Sequence, residues 1–159
     1  MENLWIIKDS GGAKKDIDEI KAFITEQNNY LSSATEGRVL AHFIPKRTAK
    51  LTVSAKAVSR AVQGKTGKNA CDLLEPEIYE YYISDAKNEY ELNLFYFIFN
   101  YDYPFVFEID FDMAEKLYMP SENFINSVND FEDLFAKIVK TSEVVYIVNK
   151  LNEMQKDKE

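Results

Sequence analysis

Apolar residues in the first half of the chain follow two different spacings. Residues 17–31 place them at helical spacing, after two acids set three positions apart as in a capping box. Residues 4–7 and 38–44 are short runs in which both alternating faces are apolar, which is typical of buried strands. Residues 52–63 return to helical spacing. The first half therefore predicts the order strand, helix, strand, helix.

The second half is aromatic and alternates more strictly. Strands are predicted at 78–84, 89–99 and 105–112, separated by turn-forming Asn, Asp and Pro. In the third of them, aromatic and aliphatic residues alternate with mainly acidic ones, so one face is predicted to be in water. After Pro120 the pattern predicts helix to the end of the chain, with a tail that frays from about residue 155.

Together these elements predict an α+β fold. It has a mainly antiparallel sheet of about five strands, helices packed on one face and a helical C-terminal third. The 159 residues are numerous enough to bury one core, and no linker interrupts the pattern, so 1–159 is predicted to be a single globular domain. The longest strictly apolar run, Leu94–Phe99, is far shorter than the roughly 20 residues that span a membrane. We therefore expect no membrane contact.

Cysteine and histidine content narrows the possible chemistry. Cys71 is the single cysteine and cannot form an internal disulfide, which favours a reducing, cytoplasmic location. His42 is the single histidine, which excludes two-histidine mechanisms and the usual Cys/His zinc sites. Gly64-Lys65-Thr66 lacks the earlier glycine and the strand context of a phosphate-binding loop. We therefore expect a protein that is not an enzyme and that uses no catalytic residue, cofactor or metal.

Charge is distributed unevenly along the chain, although the net value is −8. Residues 37–71 hold eight basic side chains and no acid, whereas residues 72–159 hold seven basic side chains and 20 acids. Two interpretations remain open. The two segments can form ordinary surface ion pairs of little energetic value, or one of them can be an electrostatic contact surface. The basic segment suits phosphate, and the acidic segment suits a basic macromolecular surface.

Acidic residues of the predicted sheet are candidates for binding a protein partner. Glu108, Asp110 and Asp112 alternate along the third aromatic strand, so their carboxylates are expected about 6.6 Å apart on one face. Glutamates on neighbouring strands would extend this surface, and exposed tyrosines would add the rigid aromatic anchors that interfaces favour. The predicted acidic contact residues are Glu77, Glu80, Glu89, Glu91, Glu108, Asp110 and Asp112.

Such a surface favours a non-enzymatic protein that inhibits or neutralises a macromolecular partner. A nucleic-acid-handling enzyme has a cationic groove that an acidic sheet could occupy. An immunity-type protein or a phage or mobile-element anti-defence protein would fit this role, and residues 129–135 resemble the closing helix of acidic bacterial immunity proteins. A third possibility is a metal-dependent phosphoryl-transfer enzyme, because Glu108, Asp110 and Asp112 could together hold Mg²⁺ or Mn²⁺.

The basic segment, residues 38–68, supports an alternative function in nucleic-acid binding or regulation. Its run Val53–Lys65 resembles the recognition helix of lactose-repressor-type helix-turn-helix proteins, which enters the major groove. The resemblance implies DNA contact by Ser54, Ser59 and Arg60. The chain departs from that motif at Pro45, where the first helix should run, and at Thr52, where the glycine of the tight turn is expected. The predicted basic contact residues are Lys46, Arg47, Lys50, Lys56, Arg60, Lys65 and Lys68.

Overall fold

A five-stranded antiparallel sheet forms the centre of the described structure. The computed structural model describes residues 1–5, 11–46 and 69–159. Each strand pairs with its neighbours in sequence, so the sheet is a meander with the first and last strands at its edges. The strands are β1 (Val39–Pro45), β2 (Glu77–Asp85), β3 (Glu91–Phe99), β4 (Phe105–Ile109) and β5 (Glu122–Ile125).

Three of the helices in the described ranges are long and pack on one face of this sheet, which we call the inner face. A shorter helix joins β4 to β5, and a 3₁₀ turn at Ala70–Leu74 precedes β2. The opposite side of the sheet is called the outer face below. The helices are α1 (Gly11–Ala34), α2 (Phe111–Leu117), α3 (Val128–Val139) and α4 (Ser142–Asp157).

Aromatic rings fill the space between the inner face and the helices. Strand alternation places Phe95 and Phe97 of β3 opposite Ile109 and Phe107 of β4, and all four side chains are buried. Phe131 of α3 meets Phe97 edge to face, with ring centroids 4.9 Å apart, a geometry that aromatic pairs prefer. Strand alternation and the apolar stripe of α3 therefore form the aromatic part of the core, and buried aliphatic residues of the other long helices complete it.

Helix α4 is tied to the end of β2 by a buried carboxylate. Asp85 is fully buried, and its two oxygens accept hydrogen bonds from the Tyr90 backbone N–H at 2.9 Å and the Gln155 side-chain amide at 2.7 Å. Just beyond, Lys158 donates to Glu89 at 2.7 Å. Helix α4 continues through Asp157, and these polar contacts join its last turn to the end of β2 and the turn that follows.

Helix α1 is tied to the sheet by two tyrosine hydroxyls. Tyr81 of β2 donates to the Asn28 side chain at 2.8 Å, and Tyr103, just before β4, donates to Asp16 at 2.6 Å. Burial raises the pKa of Tyr81 above its usual range, and burial together with the bond to Asp16 raises the pKa of Tyr103. Both bonds therefore depend on phenols that stay protonated while the protein is folded.

The predicted α+β class is confirmed, with five antiparallel strands and helices on one face. The strands differ from those predicted at both ends of the chain. Leu4 and Trp5 are exposed and outside any strand, while the rest of that predicted strand lies outside the described residues, as does the predicted helix 52–63. The fifth strand is β5, where helix was predicted, because four residues are too few to show a period.

Replacing Gln155 with alanine is expected to lower the free energy of unfolding by about 1–3 kcal/mol, because the buried Asp85 carboxylate loses a hydrogen-bond donor. Urea denaturation would measure the change. Glu153→Ala is the matched control, because Glu153 is an exposed residue of the same helix, and it should change stability by less than about 0.5 kcal/mol. Equal effects of the two substitutions would contradict the role given to Gln155.

Alkaline titration should reveal the two raised tyrosine pKa values. A raised folded-state pKa contributes stability that is complete below the unfolded value of about 10 and is lost as pH rises through the folded value. Stability should therefore decline only above about pH 10. Phenolate absorbance of the native protein should show a late-ionising fraction that Tyr81→Phe reduces and that guanidinium chloride removes. A single transition shared by native and denatured protein would contradict this.

Candidate functional site

Strand register places two exposed glutamates side by side on the outer face. One row of residues crosses the sheet from β2 to β5 through Glu80, Tyr96, Glu108 and Glu122, which are successive cross-strand partners. Glu80 is only 4% exposed, whereas Glu108 and Glu122 are both exposed. Like charges directly opposite each other destabilise a sheet. The exposed carboxylates of this row therefore lie on β4 and β5, where their mutual repulsion lowers the stability of the sheet.

The predicted array of three carboxylates along one strand is wrong, because the strand ends at Ile109. Asp110 is the N-cap of α2, and its carboxylate accepts a hydrogen bond of 3.4 Å from the Met113 backbone N–H. Asp112 lies in the first turn of that helix, where unpaired N–H groups favour negative charge. Glu108 alone remains on the strand, and the described ranges contain no group of three or more side chains arranged to hold a metal ion.

Helix α2 turns four side chains toward solvent, those of Phe111, Asp112, Glu115 and Lys116. It buries Met113 and Ala114, so the positions on its other side point outward. Phe111 and Glu115 are one turn apart on that side, and both are exposed. Asp112 is exposed beside them. A seven-residue helix thus presents an aromatic ring, two carboxylates and one ammonium group.

Two further aromatic rings flank α2 in sequence. Tyr118 is the C-cap of the helix, in the left-handed conformation with φ of 54°, and its side chain is 97% exposed. Phe124 lies on the outer face of β5 and is 60% exposed, and Phe111 is 74% exposed. The exposed acidic and aromatic residues between positions 108 and 124 are here called the acidic aromatic surface: Glu108, Phe111, Asp112, Glu115, Tyr118, Glu122 and Phe124.

The other predicted acidic residues lie elsewhere. Glu77 begins β2 on the inner-face side and is 4.0 Å from the Lys21 ammonium. Glu89 lies in the turn after β2, paired with Lys158, and Glu91 is exposed at the start of β3.

The seven predicted acids therefore do not form one surface. Glu108 and Asp112 belong to the acidic aromatic surface, and Asp110 caps the helix that carries part of it.

Of the predicted basic contact residues, Lys46 alone is described. Its backbone N–H donates to the Ile78 carbonyl at 2.8 Å, and its ammonium lies 4.8 Å from the centre of the Tyr96 ring. Arg38, at the start of the basic segment, is held by Glu159, and this hydrogen bond raises its pKa. The helix-turn-helix-like run lies outside the described residues, with Arg47, Lys50, Lys56, Arg60, Lys65 and Lys68.

His42 has structural contacts on the outer face. Its ring nitrogen lies 2.9 Å from the Ser84 hydroxyl, and its ring stacks on Tyr82 with centroids 4.5 Å apart. Cys71 is exposed on the 3₁₀ turn before β2. Neither residue belongs to the acidic aromatic surface.

Sequence reasoning missed five residues of the acidic aromatic surface. Phe111 was assigned to the apolar side of a strand because its parity matches Phe107 and Ile109. The sequence does contain a helix signal there, since Asp110 precedes a run of residues that favour helix. No comparable signal marks Glu122 and Phe124, whose placement depends on pairing with β4.

Comparisons of the chain with protein-family models, with curated proteins and with solved structures find no match. Of the helices in the described ranges, none is both long and apolar enough to cross a membrane. The acidic aromatic surface is therefore interpreted from its own geometry.

The N-cap of α2 should be measurable as stability. Asp110→Ala is expected to lower the free energy of unfolding by about 1 kcal/mol, because the Met113 N–H loses its acceptor. Asp110→Asn is the matched control, since its amide oxygen can cap the same N–H, and it should cost much less. Urea denaturation and hydrogen exchange of the α2 amides would measure both. A larger loss with Asn than with Ala would contradict capping.

Proposed function

We propose that this protein is a non-enzymatic binding protein that occupies a basic surface of a macromolecular partner. The acidic aromatic surface is the contact region. The observation that carries the proposal is the exposure of Phe111, Tyr118 and Phe124 within one acidic segment of the chain. Aromatic side chains supply most of the binding energy at many interfaces, because each buries a large rigid area at low entropic cost.

The exposed rings have no role in the described core. The helix that carries Phe111 is already anchored through Met113 and Ala114, so folding does not require an aromatic residue at position 111. Tyr118 occupies a left-handed position that glycine normally takes at a helix end. A bulky residue held in this conformation stores backbone strain, which is commonly found at functional positions. The exposed ring of Phe111 and the left-handed conformation of Tyr118 both indicate that these side chains serve to contact a partner rather than to stabilise the fold.

Electrostatics indicate the sign of the partner. Residues 105–125 contain five acids and one lysine, Lys116, which gives a net charge of −4. The cross-strand pair of Glu108 and Glu122 repels itself in the free protein. A cationic partner would relieve that repulsion and would be steered toward the surface during approach.

The partner class that fits best is an enzyme that handles nucleic acid, because its groove is cationic and open enough to receive a protruding acidic surface. The protein would then act as an inhibitor of the immunity or anti-defence type. A reducing cytoplasm remains the proposed location, on the basis of the single Cys71.

Affinity capture from source-cell lysate, with and without nuclease treatment, tests the proposal. The chain should recover the same protein in both samples. Replacing Phe111 and Tyr118 together with serine should lower recovery at least about tenfold, because interface anchors of this kind are each worth roughly 2 kcal/mol or more. Tyr146→Ser is the control, since Tyr146 is 68% exposed on α4, away from this surface.

Charge reversal at two places distinguishes electrostatic attraction of the partner to the acidic aromatic surface from an effect of the net charge of the protein. Glu108→Lys with Glu122→Lys should abolish capture, whereas Glu143→Lys with Glu153→Lys alters net charge equally on α4 and should preserve it. Capture that disappears with nuclease would overturn the proposal and favour nucleic-acid binding by the basic segment 38–68. Equal capture by both charge-reversed proteins would overturn the assignment of the contact to the acidic aromatic surface.

A further inference from the structure

An apolar groove lies between α1 and α4, over β2 on the inner face of the sheet. Its volume is about 340 Å³, which falls in the size range of small-molecule pockets. Tyr81 and Ile83 form its floor, and α3 contributes Phe135. Leu31 of α1 and Val148 of α4 also line it.

Polar contacts on both sides hold the groove open. The Tyr81 hydroxyl is bonded to Asn28, which fixes α1 and leaves the ring itself as the floor. The bond from Gln155 to the buried Asp85 fixes α4 at the end of the same strand. Because both helices are tied to β2, they cannot close over the space without breaking these hydrogen bonds, of which the one to Asp85 is buried. The groove is therefore preformed.

The chemistry of the lining defines the class of ligand. None of the described residues that line the groove is charged, so an ion would lose its hydration without gaining a partner. Polar groups are confined to a few side chains, including the amides of Gln27 and Asn149. Such a lining accommodates an apolar ligand that carries one or two neutral hydrogen-bonding groups.

The dimensions exclude larger occupants. A partner helix with its side chains is about 10 Å wide and would need an apolar trough several turns long. A second copy of the chain would contribute about 20–30 residues from each partner, more than the 12 described residues that line this groove. Size and charge therefore agree on a small molecule.

We propose that this groove binds a small, neutral, largely aromatic or aliphatic molecule. The site is separate from the acidic aromatic surface, since its floor strand, β2, lies three strands from β5 in the sheet. The inference therefore goes beyond the proposed function. The proposed groove ligand and the proposed function can be tested independently of each other.

The test uses N-phenyl-1-naphthylamine, a neutral dye with two aromatic ring systems and one N–H group, whose fluorescence rises in apolar sites. Titration of the full chain should show saturable binding at one site. Val145→Trp, at the groove rim, and Ala34→Trp, on the opposite wall, should each weaken binding by at least about tenfold by filling the space.

Tyr146→Trp is the matched control, because Tyr146 neighbours Val145 on α4 but does not line the groove. Val145 is 44% exposed and Tyr146 is 68% exposed, so both variants should fold, which circular dichroism would verify. The control should retain affinity within about twofold. Unsaturable dye binding, equal affinity in all four proteins, or binding that follows self-association in sedimentation velocity would overturn the proposal.

Discussion

The packing of Phe131 against the sheet is the interaction on which the rest of the structure depends. Its ring lies 4.9 Å from Phe97, 5.6 Å from Phe107 and 6.2 Å from Phe23 of α1, measured between centroids. One side chain of α3 thus joins two strands and a second helix. Because these rings occupy the inner face, the long helices collect on that side. The residues of the acidic aromatic surface, on β4, α2 and β5, are not covered by these helices and stay exposed.

The sequence predicted those parts of the fold that repeat a pattern over many residues. The alternation in β3 and β4 and the helical spacing in α1 and α3 specify their buried faces directly. The errors lie where an element is short. Helix α2 has seven residues and β5 has four, and the apolar parity of Phe111 extended the strand prediction beyond its real end. At that point the capping preference of Asp110 prevailed over alternation.

The candidate site was less predictable than the fold because it depends on tertiary pairing. Counting positions along β2 does show that Glu77 and Glu80 point to opposite faces. The pairing of Glu89 with Lys158 joins residues 69 positions apart and leaves no local trace in sequence. Glu122 meets Glu108 only because the chain returns through α2 to form an edge strand. The sequence showed that the second half of the chain is acidic, but it did not show which carboxylates lie next to each other on the folded surface.

The meander order of the strands has a consequence for synthesis of the chain. Strands β2, β3 and β4 are consecutive and can pair as soon as each emerges, because only short turns separate them. Helix α1 precedes these strands, but the other two helices that cover their inner face, α3 and α4, come later, and the hydrogen bond from Gln155 to Asp85 closes a separation of 70 residues. A nascent chain therefore carries a partly uncovered aromatic face until α3 and α4 are made. That interval is when the chain is most exposed to association with other unfinished chains.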